Sequence, residues 1–161
     1  MKSAIATLLT VTAVVVGVLA ESHTVHFTNL CGYGTPTLIQ GGNVLSTGGD
    51  YTSNGPLGAA IAYLQTGGCG FNGEGCTMVE LSLYNPDTNG GMISSADVTL
   101  IPPHAFSVTS GFGFYNGCDG VGNDCTWSGC CPDGAFCTPT DYQAQRQCTV
   151  DNVNLAVTFC D

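Results

Sequence analysis

Positive charge is almost absent from this sequence. Lys2 and Arg146 are the only basic side chains, against twelve acidic ones, and the formal charge is −10. Nucleic acids and anionic membranes attract proteins through a surplus of Lys and Arg, so neither is expected as a partner. Charged residues are few and 43% of the residues are apolar, which argues against a disordered chain. The composition also lacks the Ala, Glu, Lys and Leu excess of coiled coils and helical bundles.

Common catalytic motifs are missing as well. There is no G-x-S-x-G, and no reactive Cys–His pair is expected because the cysteines are expected to be oxidised. The glycines are spread through turns and form no phosphate-binding loop. Catalysis is therefore not expected, although Glu80 and Asp97 would allow a paired-carboxylate glycosidase site. No N-x-S/T sequon occurs, so any glycan is expected on Ser or Thr.

An apolar segment opens the chain. Lys2 is followed by an unbroken run of apolar residues and Thr over residues 4–20, which predicts a signal peptide at residues 1–20. Cleavage after Ala20 fits the preference for small residues, and cleavage after Ser22 is the alternative. No second apolar run of that length exists, so the mature protein is expected to be secreted and free of membranes.

Cysteine is abundant, and all ten residues follow the apolar segment. Their even number predicts five disulfides, and the absence of paired C-x2-C units favours disulfides over zinc. Cys130 and Cys131 are adjacent and should bond to different partners. The short spacing around a Gly-rich turn predicts the pair Cys69–Cys76. The full set is Cys31, Cys69, Cys76, Cys118, Cys125, Cys130, Cys131, Cys137, Cys148 and Cys160.

Short alternating or β-branched segments, separated by Gly, Asn, Pro and Asp clusters, predict an all-β sandwich or barrel. Residues 57–65 fit either a short helix or a buried strand. Residues 111–149 carry most of the cysteines and little periodicity, so we interpret them as a disulfide-stapled loop region. One domain is expected over residues 21–161. The predicted strands cover residues 24–28, 77–84, 97–101, 105–109 and 153–159.

Both ends of the mature chain resemble the thaumatin-like proteins. The start H-F-T-N-L-C at residues 26–31 and the end N-L-A-V-T-F-C at residues 154–160 carry this resemblance. So do E-L-S-L at residues 80–83 and D-V-T-L at residues 97–100, the latter followed by F-S-V. The resemblance implies a thaumatin-like β-sandwich with a shortened stapled region.

The thaumatin-like resemblance also implies part of the disulfide pairing. The first and last cysteines of that family pair, which here means Cys31 with Cys160. By the same analogy Cys118 pairs with Cys148. The four remaining cysteines then share two bonds in an arrangement that stays open: Cys125, Cys130, Cys131 and Cys137.

Longer stretches are similar to a group of small secreted fungal glycopeptides. They lie at residues 45–56, 60–65, 101–108 and 151–155. The group is linked to ferric-iron reduction and hydroxyl-radical production outside wood-decaying fungi. This resemblance implies an extracellular glycopeptide that binds or helps reduce iron in Fenton-type chemistry.

The thaumatin-like family has an acidic cleft built from one Arg, one Glu and three Asp. Glu80 and Asp97 fall on matching positions, and His104 lies near the place of the second Asp. No Arg precedes Glu80 at the matching position, so at best about half of the family's cleft residues are present. Four residues compete for the position of the last acid: Asp119, Asp124, Asp133 and Asp141.

Two sets of residues are candidate metal ligands for iron or copper. Glu80, Asp97 and His104 offer hard oxygen ligands and one imidazole, on strands that the resemblance places side by side. His23 would chelate copper if cleavage made it the N-terminal residue. His26 lies three residues further on, so in a strand it would be on the opposite face and would not join that site.

Three classes of function remain open for this expected monomer. The first is an iron-associated glycopeptide, and the second is a thaumatin-like wall protein that binds β-glucan or acts against fungi. The third is a secreted interaction protein without catalysis.

Overall fold

The computed structural model describes residues 20–161, so nearly all of the predicted signal peptide lies outside the described residues. The described chain has eleven strands and one short 3-10 helix, Tyr142–Ala144. The strands are β1 His23–Asn29, β2 Thr35–Gln40, β3 Asn43–Ser46, β4 Tyr51–Ser53, β5 Leu57–Gln65, β6 Met78–Leu83, β7 Ser94–Thr99, β8 Ser110–Tyr115, β9 Gly122–Cys125, β10 Arg146–Cys148 and β11 Asn154–Phe159. Among these residues no helix is long and apolar enough to cross a membrane.

The strands form two sheets with one shared core. The five-stranded sheet has the order β4-β1-β11-β8-β9, and the six-stranded sheet has the order β10-β7-β6-β5-β2-β3. The first and last strands, β1 and β11, lie parallel to each other, and the other pairs are antiparallel. The chain is therefore an all-β sandwich, as the sequence predicted.

Period-two alternation builds the core. Val25 and Phe27 on β1, and Val79 and Leu81 on β6, are buried, while His26 and Glu80 between them are exposed. Successive side chains of a strand point to opposite faces, so each sheet presents one apolar face to the other. The outer face of the six-stranded sheet is then free to carry polar residues.

The structure decides the conformation of two segments, residues 57–65 and residues 105–109. Residues 57–65 form strand β5 and no helix. The predicted strand at residues 105–109 is wrong, because that segment is irregular. There the Thr77 and Ser107 side-chain hydroxyls each accept a hydrogen bond from the other residue's backbone N–H. Such side-chain bonds compete with the backbone ladder of a strand.

The region 111–149 is more ordered than predicted. It contains most of β8, all of β9 and β10, and the 3-10 helix. Phe112 and Phe114 on β8 enter the core and alternate with Gly111 and Gly113. Glycine is uncommon in strands, so the glycines concealed this alternation.

All ten cysteines are paired. The structure joins Cys31 to Cys160, Cys69 to Cys76 and Cys118 to Cys148, as expected from the sequence and the resemblance. The arrangement that the sequence left open is Cys125–Cys130 and Cys131–Cys137, so the adjacent cysteines do reach different partners. The Cys31–Cys160 disulfide, which spans the largest number of residues, connects the ends of the parallel strands β1 and β11.

Candidate acidic cleft on the six-stranded sheet

Glu80 and Asp97 meet on the outer face of the six-stranded sheet. Glu80 on β6 is directly opposite Asp97 on β7, and Ile61 on β5 is opposite Glu80 on its other side. Directly opposite residues of antiparallel strands project to the same face with Cβ atoms about 5 Å apart. The sequence thus brings two carboxyl groups together because each sits between two core residues on its strand.

The two carboxyl groups line an open cleft of about 290 Å³. One end of it is a β-bulge where Ala59 adopts φ 51° and donates its N–H to the Ser82 hydroxyl at 2.9 Å. A positive φ is unfavourable for alanine by about 1 kcal/mol or more, and such strain is concentrated at functional sites. The complete lining is Ala59, Ala60, Ile61, Glu80, Leu81, Ser82, Ser95, Asp97 and Gln145.

Asp97 is the electrostatically unusual residue of this cleft. It is only 7% exposed, and its Oδ1 is the only buried side-chain oxygen or nitrogen in residues 20–161 without a hydrogen-bond partner. Burial, followed by the nearby Glu80 carboxylate, raises the pKa of Asp97 to about 7, although the Gln145 side chain partly opposes this rise. Asp97 is therefore protonated in mildly acidic solution, where an exposed Asp would be ionised.

A disulfide-closed loop covers the neighbouring part of the outer face. Each row on this face consists of residues that lie opposite one another on β5, β6 and β7. The row next to Glu80 and Asp97 consists of Tyr63, Met78 and Thr99, and all three are buried. Tyr63 donates its hydroxyl to the Phe71 carbonyl at 2.7 Å, which fixes the loop closed by Cys69–Cys76 over this row. Gly73 has φ +78°, and a Cβ there would lie 3.1 Å from the Tyr63 ring. The cleft is consequently confined to the rows that contain Glu80 and Ser82.

His104 does not belong to the cleft, which corrects the predicted Glu80–Asp97–His104 cluster. After β7 the chain turns, with the His104 N–H bonded to the Ile101 carbonyl at 2.9 Å. This turn carries His104 to the covering loop, where its Nδ1 is 2.9 Å from the Gly73 carbonyl oxygen. Within residues 20–161 no group of three or more His, Cys, Asp or Glu side chains has the arrangement of a metal site.

His23, the predicted copper ligand, lies inside the fold when Glu21 and Ser22 precede it. Its side chain is fully buried, with Nδ1 2.7 Å from the Val153 carbonyl oxygen and Nε2 3.1 Å from Glu21 Oε1. His26 lies on the other face of β1 and contacts Asp50 at 2.7 Å. The two histidines thus occupy opposite faces of β1, as their spacing predicted. His23 is on the buried face and His26 is on the exposed face.

The residues before β1 are part of the fold. Glu21 accepts hydrogen bonds from the Asn85 N–H at 2.8 Å and from the Asn89 side-chain amide at 2.9 and 3.0 Å. Burial alone would raise the pKa of Glu21, but these hydrogen bonds outweigh it and leave the pKa below its ordinary value. The Ser22 N–H donates to the Asn152 side chain at 2.9 Å. Removing Glu21 and Ser22 would leave Asn85 and Asn89 without this acceptor.

Several residues of the cleft were not predicted from the sequence. Ser82 and Ser95 lie two positions from Glu80 and Asp97, so the alternation of the strands could have indicated them. Gln145 reaches the cleft from the segment before β10, and no local pattern marks it. No basic residue lines the cleft, in agreement with the missing Arg. The Arg146 guanidinium instead donates to the Gly122 carbonyl at 3.1 Å.

These features define an all-β, disulfide-rich sandwich with an acidic cleft on one outer face. Several solved structures are similar to it. One is a thaumatin-like xylanase inhibitor, with 20% identity, coverage of 86% of this chain and 99% of that chain, and a TM-score of 0.54. This likeness shows that the fold is thaumatin-like.

Another similar structure is the protein elicitor MoHrip2 from Magnaporthe oryzae. It has 10% identity, covers 88% of this chain and 100% of that chain, and has a TM-score of 0.48, which is too low for a conclusion. No protein-family model and no curated protein matches the sequence.

Proposed function

We propose that the protein is an extracellular binding protein whose acidic cleft takes neutral, hydroxyl-rich polysaccharide of the β-glucan type. The observation that carries this proposal is the buried Asp97 Oδ1, which lacks a hydrogen-bond partner at the edge of an open cleft. An unsatisfied buried polar atom costs about 1–3 kcal/mol. A ligand that supplies the missing hydrogen bond recovers this free energy on binding.

The lining of the cleft favours hydroxyl groups over charged ones. An anionic ligand would face Glu80 without any compensating cation, because no basic residue lines the cleft. Ser82, Ser95 and Gln145 can each donate and accept hydrogen bonds, as sugar hydroxyls do. The volume of about 290 Å³ is at the lower end of the usual range for ligand pockets. The cleft therefore suits a short stretch of an extended chain that continues into solvent.

A pull-down on insoluble β-1,3-glucan at pH 5 tests this proposal. Glu80 is exposed, so Glu80→Ala should fold normally and lose a charge-assisted hydrogen bond, which lowers retention about tenfold or more. Asp124→Asn is the matched control, because Asp124 lines a different depression on the five-stranded sheet and should keep full retention. Failure of the wild-type protein to bind, or equal binding by Glu80→Ala, would contradict the proposal.

A protein partner is the second candidate, and Trp127 favours it. This residue is 62% exposed and lies in the six-residue loop closed by Cys125–Cys130. Its ring packs directly over Gly129, where a Cβ would collide with the indole. Tryptophan is enriched among the residues that dominate the binding energy of protein interfaces.

The xylanase inhibitor with a similar fold suggests a class of partner, namely enzymes that degrade wall polysaccharides. Trp127 is the only tryptophan of the chain, so Trp127→Ala removes this side chain without affecting another indole. Calorimetric titration with a xylanase should show binding by wild type and weaker binding by Trp127→Ala. Equal binding by the two proteins, or no binding by wild type, would contradict this candidate.

An iron-associated role stays a prediction. With His104 at the covering loop, the cleft offers two carboxyl groups, Glu80 and Asp97, to a ferric ion. Calorimetry with ferric citrate, compared between wild type and Asp97→Asn, distinguishes binding in the cleft from attraction to diffuse surface charge. Equal heats for the two proteins would exclude the cleft as an iron site.

A further inference from the structure

The two carboxyl groups of the cleft differ in environment although they are direct cross-strand neighbours. Asp97 is more than nine-tenths buried, with one oxygen unpartnered, whereas Glu80 is exposed. Two ionised carboxylates at such close range repel each other, and the repulsion is strongest where one of them is shielded from water. The arrangement favours a state in which only one of the two is ionised.

No cation near Asp97 relieves this repulsion. The facing residues of β5, namely Ala59, Ala60 and Ile61, do not titrate, and β6 contributes Glu80 as its only charge in the cleft. From the β10 side the neutral Gln145 approaches the carboxyl. Arg146 follows it, but the partner of Arg146 on β7 is Ala96, whose side chain is in the core.

The guanidinium of Arg146 donates its hydrogen bonds to backbone carbonyls away from Asp97. Besides Gly122 it donates to the backbone carbonyls of Gln143 and Gln145. The segment parallel to the end of β7 presents Phe136. Asp97 therefore has a negative neighbour and no positive one.

We propose that Glu80 and Asp97 hold one proton between them, and that the cleft binds neutral hydroxyl groups in this singly protonated form and releases them when the proton leaves above neutral pH. The inference rests on the proposed function, because it specifies how that same cleft selects and releases its ligand.

The chemistry of the pair explains the preference. A protonated Asp97 offers one O–H donor, and an ionised Glu80 offers acceptor oxygens. A sugar hydroxyl both donates and accepts, so it satisfies both groups at once. A metal ion requires acceptors only, and the proton excludes it from the singly protonated pair. The raised pKa of Asp97, about 7, agrees with loss of the proton near neutrality.

Binding to insoluble β-1,3-glucan at pH 5 and pH 8 tests the inference, because this polymer carries no charge that changes between the two pH values. Wild-type retention should fall at least tenfold from pH 5 to pH 8. In Asp97→Asn the amide supplies a donor at every pH, so the ratio between the two pH values should be below about twofold. Asp124→Asn should show the wild-type ratio.

A second measurement follows the proton itself. ¹³C NMR of the side-chain carboxyl groups gives the titration of Asp97 directly and should show a midpoint near 7.

The two proposals fail in different ways. Equal glucan retention at pH 5 and pH 8 overturns the shared proton and leaves the proposed function standing. No retention at either pH overturns the proposed function. The NMR titration then shows independently whether the pair of carboxyl groups keeps one proton up to neutral pH. A midpoint for Asp97 near 4 in that titration would overturn the inference whatever the glucan does.

Discussion

Replacing Asp97 with Asn should stabilise the protein at alkaline pH. The folded carboxyl keeps its proton up to a pKa of about 7, whereas the unfolded side chain releases it near its ordinary value of 3.8. Between these values the folded state binds more protons than the unfolded state, so the free energy of unfolding falls as pH rises. Each pH unit in this window is worth 1.36 kcal/mol, so the loss by pH 8 is about 4 kcal/mol.

Asn cannot ionise and is nearly the same size as Asp, so Asp97→Asn should not show this loss. At pH 5 the folded carboxyl is still neutral but the unfolded one is already ionised, so the variant should be more stable by about 1.6 kcal/mol. At pH 8 the variant should be more stable by about 4 kcal/mol, which corresponds to roughly 10–15 °C in melting temperature. Urea unfolding at pH 5, 6, 7 and 8, with the disulfides intact, measures the difference.

Comparison of the two proteins at each pH isolates residue 97, because the other titrating groups are common to both. Glu21, whose pKa is lowered, affects both proteins equally. Glu80→Gln removes the neighbouring charge and keeps the burial, so it should recover only part of the loss. A difference between wild type and Asp97→Asn that stays constant from pH 5 to pH 8 would refute the argument, since it would mean that Asp97 is ionised throughout.

Three further predictions concern other parts of the molecule. Loss of the Cys31–Cys160 disulfide, which spans 129 residues, should destabilise the fold by about 5 kcal/mol in chemical denaturation, against about 2.5 kcal/mol for Cys69–Cys76; equal losses would contradict the loop-entropy argument. Mass spectrometry of the secreted protein should find Glu21 as the first residue, and a start at His23 would show that the contacts of Glu21 are dispensable. His104→Gln should leave glucan retention unchanged, whereas a loss as large as that of Glu80→Ala would place His104 in the binding site.

The sequence alone predicted the architecture well where local patterns repeat. Alternation of apolar residues marked β1 and β6, because a strand with one face in the core must alternate, and a β-branched and aromatic run marked β11. Glycines concealed β8, and reciprocal bonds between Thr77 and Ser107 replaced the strand expected at residues 105–109. In both places a contact between distant segments overrides the local preference.

The sequence by itself also determined that Glu80 and Asp97 face outward, since each lies between core residues on its strand. Only the tertiary structure decided what surrounds them. The turn after β7 takes His104 to the covering loop, and the pairing of β10 with β7 brings Gln145 to the cleft. The burial and missing partner of Asp97 likewise depend on segments far away in the chain. Burial and charge at a site are sums over all neighbouring elements, so they exist only once the sheets have packed.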